Sequence, residues 1–356
     1  MNYIEYGKEN TNVIVLLHGG GLSWWNYREV AENLSSSYRV ILPILDGHAK
    51  SGCDFTSIEE SAEKIIAFID EQFGGHVLLI GGLSLGGQIA LEILTQRKDI
   101  CQFALIESAL VIPSKLTYAM IKPTFGSCYG LIKHRWFAKL QFKSLRIKQE
   151  LFEDYFVDTC AISKKSMIAF LEANALYQIK PALAECLATT YIFVGEKENS
   201  AMKKSAKIIS EILPKSSLKV LPNMYHGEFS INNPKRYASA VLEILSDEIV
   251  EFYKKKILDY LDKGLIKENY HTVSSPNEIF ELYRKSDIDK FMESYNVTRL
   301  HFVGVDMLSY ISDDRLDLLN DREFEEYMKF LSTLCEREDC VGMSIHLLDV
   351  FKKNKG

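Results

Sequence analysis

The chain predicts an α/β fold: a mostly parallel sheet with helices on both faces. Two observations in the first 110 residues carry this expectation. Short β-branched apolar runs alternate with helix-like stretches, and the runs are continuously apolar. Strands that alternate apolar and polar residues have one wet face, whereas unbroken apolar strands are buried on both. A third observation places an insertion in the sheet. Strand signals stop near residue 112 and return near residue 189, with only helical patterns between them.

The elements follow in order. "NVIVLLHGG" (Asn12 to Gly20) and "YRVILPILDGH" (Tyr38 to His48) are the first two long strand segments. "SIEESAEKIIAFIDEQF" (Ser57 to Phe73) is a helix, opened by Ser57 with Glu60 three residues on, a capping-box pattern. "HVLLIGGLS" and "QFALIESAL" are the next strands, separated by the helical "QIALEIL" from Gln88. Residues 112–183 read as a helical cap rich in aromatics and lysine, in which Trp136, Phe137, Leu140 and Phe142 are expected to wall an apolar pocket as well as fill core. "TTYIFVGEKE" (Thr189 to Glu198) and "SLKVLPNMYHGE" (Ser217 to Glu228) complete the sheet, and a helix opens near Pro234. Composition shifts at Ser246. Residues 1–246 are expected to form one domain, 247–264 a connecting amphipathic helix, and 265–356 a small α+β appendage.

Bulk properties narrow the function. A length of 356 residues suggests roughly two domains. Hydrophobic residues at 47% and charged residues at 25% are ordinary for a globular protein with a full core. A net charge of −6 does not suggest a nucleic-acid surface. No apolar run of about 18 residues predicts a transmembrane helix. "MNYIEYGKEN" lacks a basic region followed by an apolar one, so no secretory signal is expected. The seven cysteines form no CxxC and read as reduced thiols, mostly small buried hydrophobes, in a cytoplasmic protein.

One pentapeptide carries chemistry. Gly82-Leu83-Ser84-Leu85-Gly86 lies between an apolar strand and a helical run. A serine on so tight a strand-to-helix turn is a nucleophile elbow. The plainer alternative is a glycine turn whose serine caps the helix from Gln88. A serine nucleophile needs a base held by an acid. His226, late in the chain after the last strand, is the expected base. The other seven histidines either precede the elbow, open its strand, or lie in the insertion and the tail. The acid is expected after the preceding strand, where "FVGEKENS" offers Glu198; Glu107 is the fallback, and neither contacting His226 is the remaining possibility. Two N–H donors for an oxyanion are expected at Leu85 and, in "LLHGGGLSWW", at Gly20. His18 reads as a structural residue of that loop rather than a base.

These pieces resemble the α/β-hydrolase superfamily over residues 1 to about 246: "HGGG" at 18–21, "LDGHAKS" at 45–51, "GLSLGG" at 82–87, "GEKE" at 195–198 and "YHGE" at 225–228, in the order nucleophile, acid, histidine. The resemblance implies an α/β-hydrolase fold with its cap over the active site and a shortened first hairpin. The departures are Ala49 where glycine is common and Glu198 where aspartate is usual. The expected function is a serine hydrolase cleaving a small-molecule carboxylic ester through an acyl-enzyme, without a metal or organic cofactor. Carbon–carbon bond hydrolysis on the same fold, or ligand sensing with little turnover, are the rival readings. About residues 265–353, through "STLCERED" and "GMSIHLLDVFKK", look like the end of a class I S-adenosylmethionine-dependent methyltransferase without its cofactor half. Such a fragment leaves strand edges open, which predicts packing on the hydrolase sheet, on its own helix near Ile249 to Leu261, or on a second chain.

Overall fold

A computed structural model describes residues 1–245, 285–304, 329 and 347–354. The chain divides into two compact units, Met1–Glu251 and Phe252–Gly356. The first holds a seven-stranded sheet: β1 (Tyr3–Tyr6), β2 (Val13–Leu17), β3 (Arg39–Pro43), β4 (Val77–Leu83), β5 (Cys101–Glu107), β6 (Thr189–Gly195) and β7 (Ser216–Leu221). The spatial order is β1-β3-β2-β4-β5-β6-β7. All neighbours are parallel except β1, which runs antiparallel to β3 with Tyr3 opposite Pro43. No β1–β2 hairpin forms, because β3 lies between these strands.

The crossovers are α1 (Arg28–Leu34), α2 (Ile58–Phe73), α3 (Leu85–Gln96) and α8 (Ser200–Ile212). Between β5 and β6 stand α4 (Lys115–Cys128), α5 (Arg135–Ser144), α6 (Phe152–Ala161) and α7 (Lys164–Leu176). After β7 come the short α9 (Glu228–Asn232) and α10 over residues 234–245. Ser57 caps α2, accepting from the Glu60 N–H at 3.0 Å, and Gly74 ends it at φ 69°.

The continuous apolar strands are buried twice over. On β2, Val13, Val15 and Leu17 join one core cluster, while Ile14 and Leu16 join the other across the sheet. Side chains alternate faces along a strand, so a strand covered on both sides has no position for a polar residue. The predicted strand from Tyr38 to His48 ends sooner, at Pro43. Its remainder turns at Gly47 (φ 76°), where a Cβ would lie 2.5 Å from Phe55 Cβ.

The second unit contains α11 (Lys285–Met292) and an antiparallel pair, β8 (Val297–Gly304) with β9 (Leu347–Lys353). The expected connecting helix at 247–264 and most residues of the expected appendage at 265–356 lie outside the described residues.

The turn from β4 into α3 explains its glycines. A Cβ on Gly82 would sit 2.2 Å from Gly86 O, and one on Gly86 would sit 2.1 Å from Leu17 O. Both collisions are with backbone, which cannot rotate away. Gly86→Ala is therefore expected to cost about 3 kcal/mol or more, roughly 6–12 °C in Tm. Gly126→Ala is the control, since a Cβ there meets nothing within 4 Å. Equal melting temperatures for the two variants would refute this account of the turn.

Candidate active site

Ser84 occupies the turn itself, at φ 54° and ψ −112°. A non-glycine residue in that region is strained, and such strain persists only where surrounding structure imposes it. Here the Ser84 N–H is tied to Glu107 O at 2.9 Å, and Ser84 O accepts from Gln88 N at 3.0 Å. The side chain makes no capping hydrogen bond. Ser84 thus stands at the N-cap position through its backbone alone, and the helix starts at Leu85 rather than Gln88. Ser84 lines a cavity of about 190 Å³.

His226 lines the same cavity, on the loop after β7. Its Nδ1 donates to Glu198 Oε2 at 2.8 Å, while 44% of the side chain remains exposed. No hydrogen bond joins the Ser84 hydroxyl to His226; contacts of this kind tighten as substrate binds. Glu198 itself is buried. Its other oxygen, Oε1, accepts from the Ser108 hydroxyl and from the Gly195 N–H, both at 2.7 Å. Burial raises this carboxyl's pKa, but the bonds from His226, Ser108 and Gly195 outweigh it, and the net shift is downward. Gly195 matters for a further reason: a Cβ there would lie 2.3 Å from Met224 O, on the loop that carries His226.

Glu107 lies elsewhere in the network. It is buried at the end of β5, and Oε1 accepts from the Ser230 N–H at 3.3 Å. Its carboxyl makes no hydrogen bond to His226. Burial pushes it up to about 7, opposed by bonds from Ser230. An acid whose folded pKa is raised contributes stability that is full at low pH and is lost as pH rises through about 7. Glu107→Gln keeps an acceptor for Ser230 and removes the ionisation. It should raise Tm relative to the native chain at pH 8 and leave it nearly unchanged at pH 5. A lowered Tm at pH 8 would count against the buried, proton-holding carboxyl.

The glycine loop sits beside the elbow. A Cβ on Gly20 would be 3.5 Å from Leu85 Cβ. Of the loop's three glycine amides, Gly19 N donates to Asn26 Oδ1 at 3.2 Å and Gly21 N to His48 Nε2 at 3.0 Å. The Gly20 amide has no acceptor among the described residues. Leu85 is the first residue of α3, where an N–H has no partner within the helix.

Two histidines hold this loop. His18 Nδ1 donates to Gly19 O at 2.9 Å, and its Nε2 accepts from Leu45 N at 3.1 Å. His48 Nδ1 donates to Asp46 O at 3.1 Å, which leaves Nε2 to accept from Gly21. Burial lowers both pKa values, that of His48 to about 4, so both rings are neutral at pH 7 and able to accept. Both ring nitrogens of His18 are taken up by backbone groups. The positioning contributions of His48, Asn26 and Ser108 were not singled out from sequence. The only signals were His48 within "LDGHAKS" and Ser108 directly after the β5 strand.

Apolar side chains form most of the remaining cavity wall, among them Phe125, Ile132, Leu145, Met167, Phe170 and Leu171. The four cap residues expected there do not line it. Trp136 and Leu140 face solvent, Phe142 packs on Phe152 and Tyr155, and Phe137 is half-buried. On α5 the side toward the cavity carries Gln141 instead. Helical spacing names the residues that share a face, but not what that face meets.

The family model described as "Alpha/beta hydrolase family" matches residues 14–240. The chain belongs to the alpha/beta hydrolase family. The chain is 21% identical over 242 residues to the pimeloyl-[acyl-carrier protein] methyl ester esterase of Edwardsiella ictaluri, covering 65% of this chain and 92% of the relative. It is 23% identical over 234 residues to the thermostable monoacylglycerol lipase of a Bacillus species, covering 62% and 85%. The solved thermophilic esterase from Thermogutta terrifontis superposes with a TM-score of 0.58 at 18% identity, over 69% of this chain and 93% of that one. That likeness establishes the alpha/beta hydrolase fold. The family match stops at residue 240 and lends nothing to the methyltransferase likeness of the tail. Most residues carrying that likeness lie outside the described ones.

Proposed function

We propose that this alpha/beta hydrolase is a serine esterase that cleaves a small carboxylic ester through an acyl-enzyme. The observation that carries the reading is the 2.8 Å contact of Glu198 with His226 Nδ1, on the rim of a cavity that Ser84 also lines. With Nδ1 donating to the carboxylate, Nε2 is the basic nitrogen. It takes the Ser84 proton as Oγ attacks the ester carbonyl. The Gly20 and Leu85 amides hold the oxyanion, and His226 returns the proton to the leaving alcohol. Water, deprotonated by His226, then adds to the acyl-enzyme, and as the bond to Ser84 Oγ breaks His226 returns the proton to that oxygen and the acid is released. The two curated relatives are named as an ester esterase and a lipase, which favours an ester over a carbon–carbon bond.

A series of nitrophenyl esters of increasing acyl length tests the reading. Hydrolysis of none of them by folded protein would refute it. The same series reads the cavity wall. Met167 is buried and lines the cavity, so Met167→Ala should shift preference toward longer chains. Each methylene that finds room is worth about 0.8 kcal/mol, or roughly fourfold in kcat/KM. A fall in Tm with unchanged preference would make Met167 ordinary core.

A further inference from the structure

Helix α5 carries two exposed stripes. Trp136 and Leu140, one turn apart, are 63% and 62% exposed. Arg135, Lys139 and Lys143 repeat at the same four-residue interval and are exposed as well. At about 100° per residue the two stripes stand side by side along the helix. The rest of the helix is occupied, with Ala138 and Phe142 buried.

A single exposed leucine is unremarkable in any protein. A tryptophan and a leucine in line, bordered by long cationic side chains, form the pattern of a helix lying in a membrane interface. The charge distribution agrees. Residues 112–183 contain eleven Lys and Arg against five Asp and Glu, in a chain of net charge −6. The cap is therefore the positive pole of an otherwise acidic chain. Arg135 is engaged by Glu153, but Lys139 and Lys143 form no salt bridge among the described residues.

We infer that α5 seats the cap on an anionic lipid surface, with Trp136 and Leu140 in the headgroup boundary and Lys139 and Lys143 on lipid phosphates. An acidic protein would satisfy the lysines, but an exposed indole beside them is best accommodated at headgroup level. With ten residues, α5 is too short to cross a membrane and can only lie along it. The position suits the cavity. Leu145, just beyond the end of α5, is 43% exposed and also lines the cavity wall. An apolar substrate leaving the lipid would meet the cavity at the end of the same helix.

Co-sedimentation of the full chain with phosphatidylcholine vesicles, with and without phosphatidylglycerol, tests the inference. Binding should require the anionic lipid and weaken at high salt. The double variants Trp136→Ser with Leu140→Ser, and Lys139→Glu with Lys143→Glu, should each lower partitioning by roughly tenfold or more. Turnover of a water-soluble ester should be unchanged in both, which also reports that they fold. Ser84→Ala should bind vesicles like the native chain, so failure of the esterase reading and failure of this one are distinguishable. Absence of vesicle binding, or equal binding by both double variants, overturns the inference. So does a native dimer that Trp136→Ser with Leu140→Ser converts to monomer without any vesicle binding, because the face would then belong to a second copy.

Discussion

Replacing Ser84 by alanine is expected to lower ester turnover by on the order of 10⁴-fold or more. The hydroxyl is the only part of the side chain removed, and it makes no capping bond whose loss would disturb α3. The turn is held by backbone contacts instead, Ser84 N to Glu107 O and Gln88 N to Ser84 O. Alanine adopts the same strained backbone no less readily than serine, so Tm should move little. A fluorophosphonate should label the native chain once, at Ser84, and leave the variant unlabelled. Labelling at another serine, together with full activity of Ser84→Ala, would end the assignment. Covalent labelling of Ser84 without ester turnover would instead favour a ligand-sensing protein.

Glu198→Gln is expected to lower kcat by roughly 10²–10⁴-fold while the fold is retained. The reason is a proton count. Glu198 accepts three hydrogen bonds, from Ser108, Gly195 and His226. An amide has one oxygen to offer. If that oxygen stays with Ser108 and Gly195, the NH₂ faces Nδ1, which must then accept. The proton moves to Nε2, and His226 can no longer take one from Ser84. If the amide turns round, the Ser108 hydroxyl can accept from the NH₂ but the Gly195 N–H loses its acceptor in a buried site, at a cost of about 1–3 kcal/mol. Glu107→Gln should leave kcat within a few-fold, because that carboxyl is bonded to Ser230 N and not to His226. The reverse ranking would transfer the acid role to Glu107.

The balance between sequence and structure differs from element to element. Continuous apolar runs made the strands legible, because burial on both faces leaves a one-dimensional trace. The "GLSLGG" run was legible in part because one of its backbone collisions is local, Gly82 against Gly86 within five residues, whereas Gly86 is required by Leu17 on the neighbouring strand. The order of Ser84, Glu198 and His226 along the chain was likewise open to reading. Other features depend on contacts between distant segments. Glu198 rather than Glu107 faces His226 only because β5 and β6 end side by side and the loop after β7 crosses Gly195. His48 reaches Gly21 from 27 residues away, and Ser108 reaches Glu198 from 90. The cap was the hardest part to read. The periodicity of α5 groups Trp136 with Leu140 and Ala138 with Phe142, but which pair meets solvent is decided by α6, whose Phe152 and Tyr155 receive Phe142. A hydrophobic pattern records which residues act together; the partner that covers them is supplied by packing across the fold.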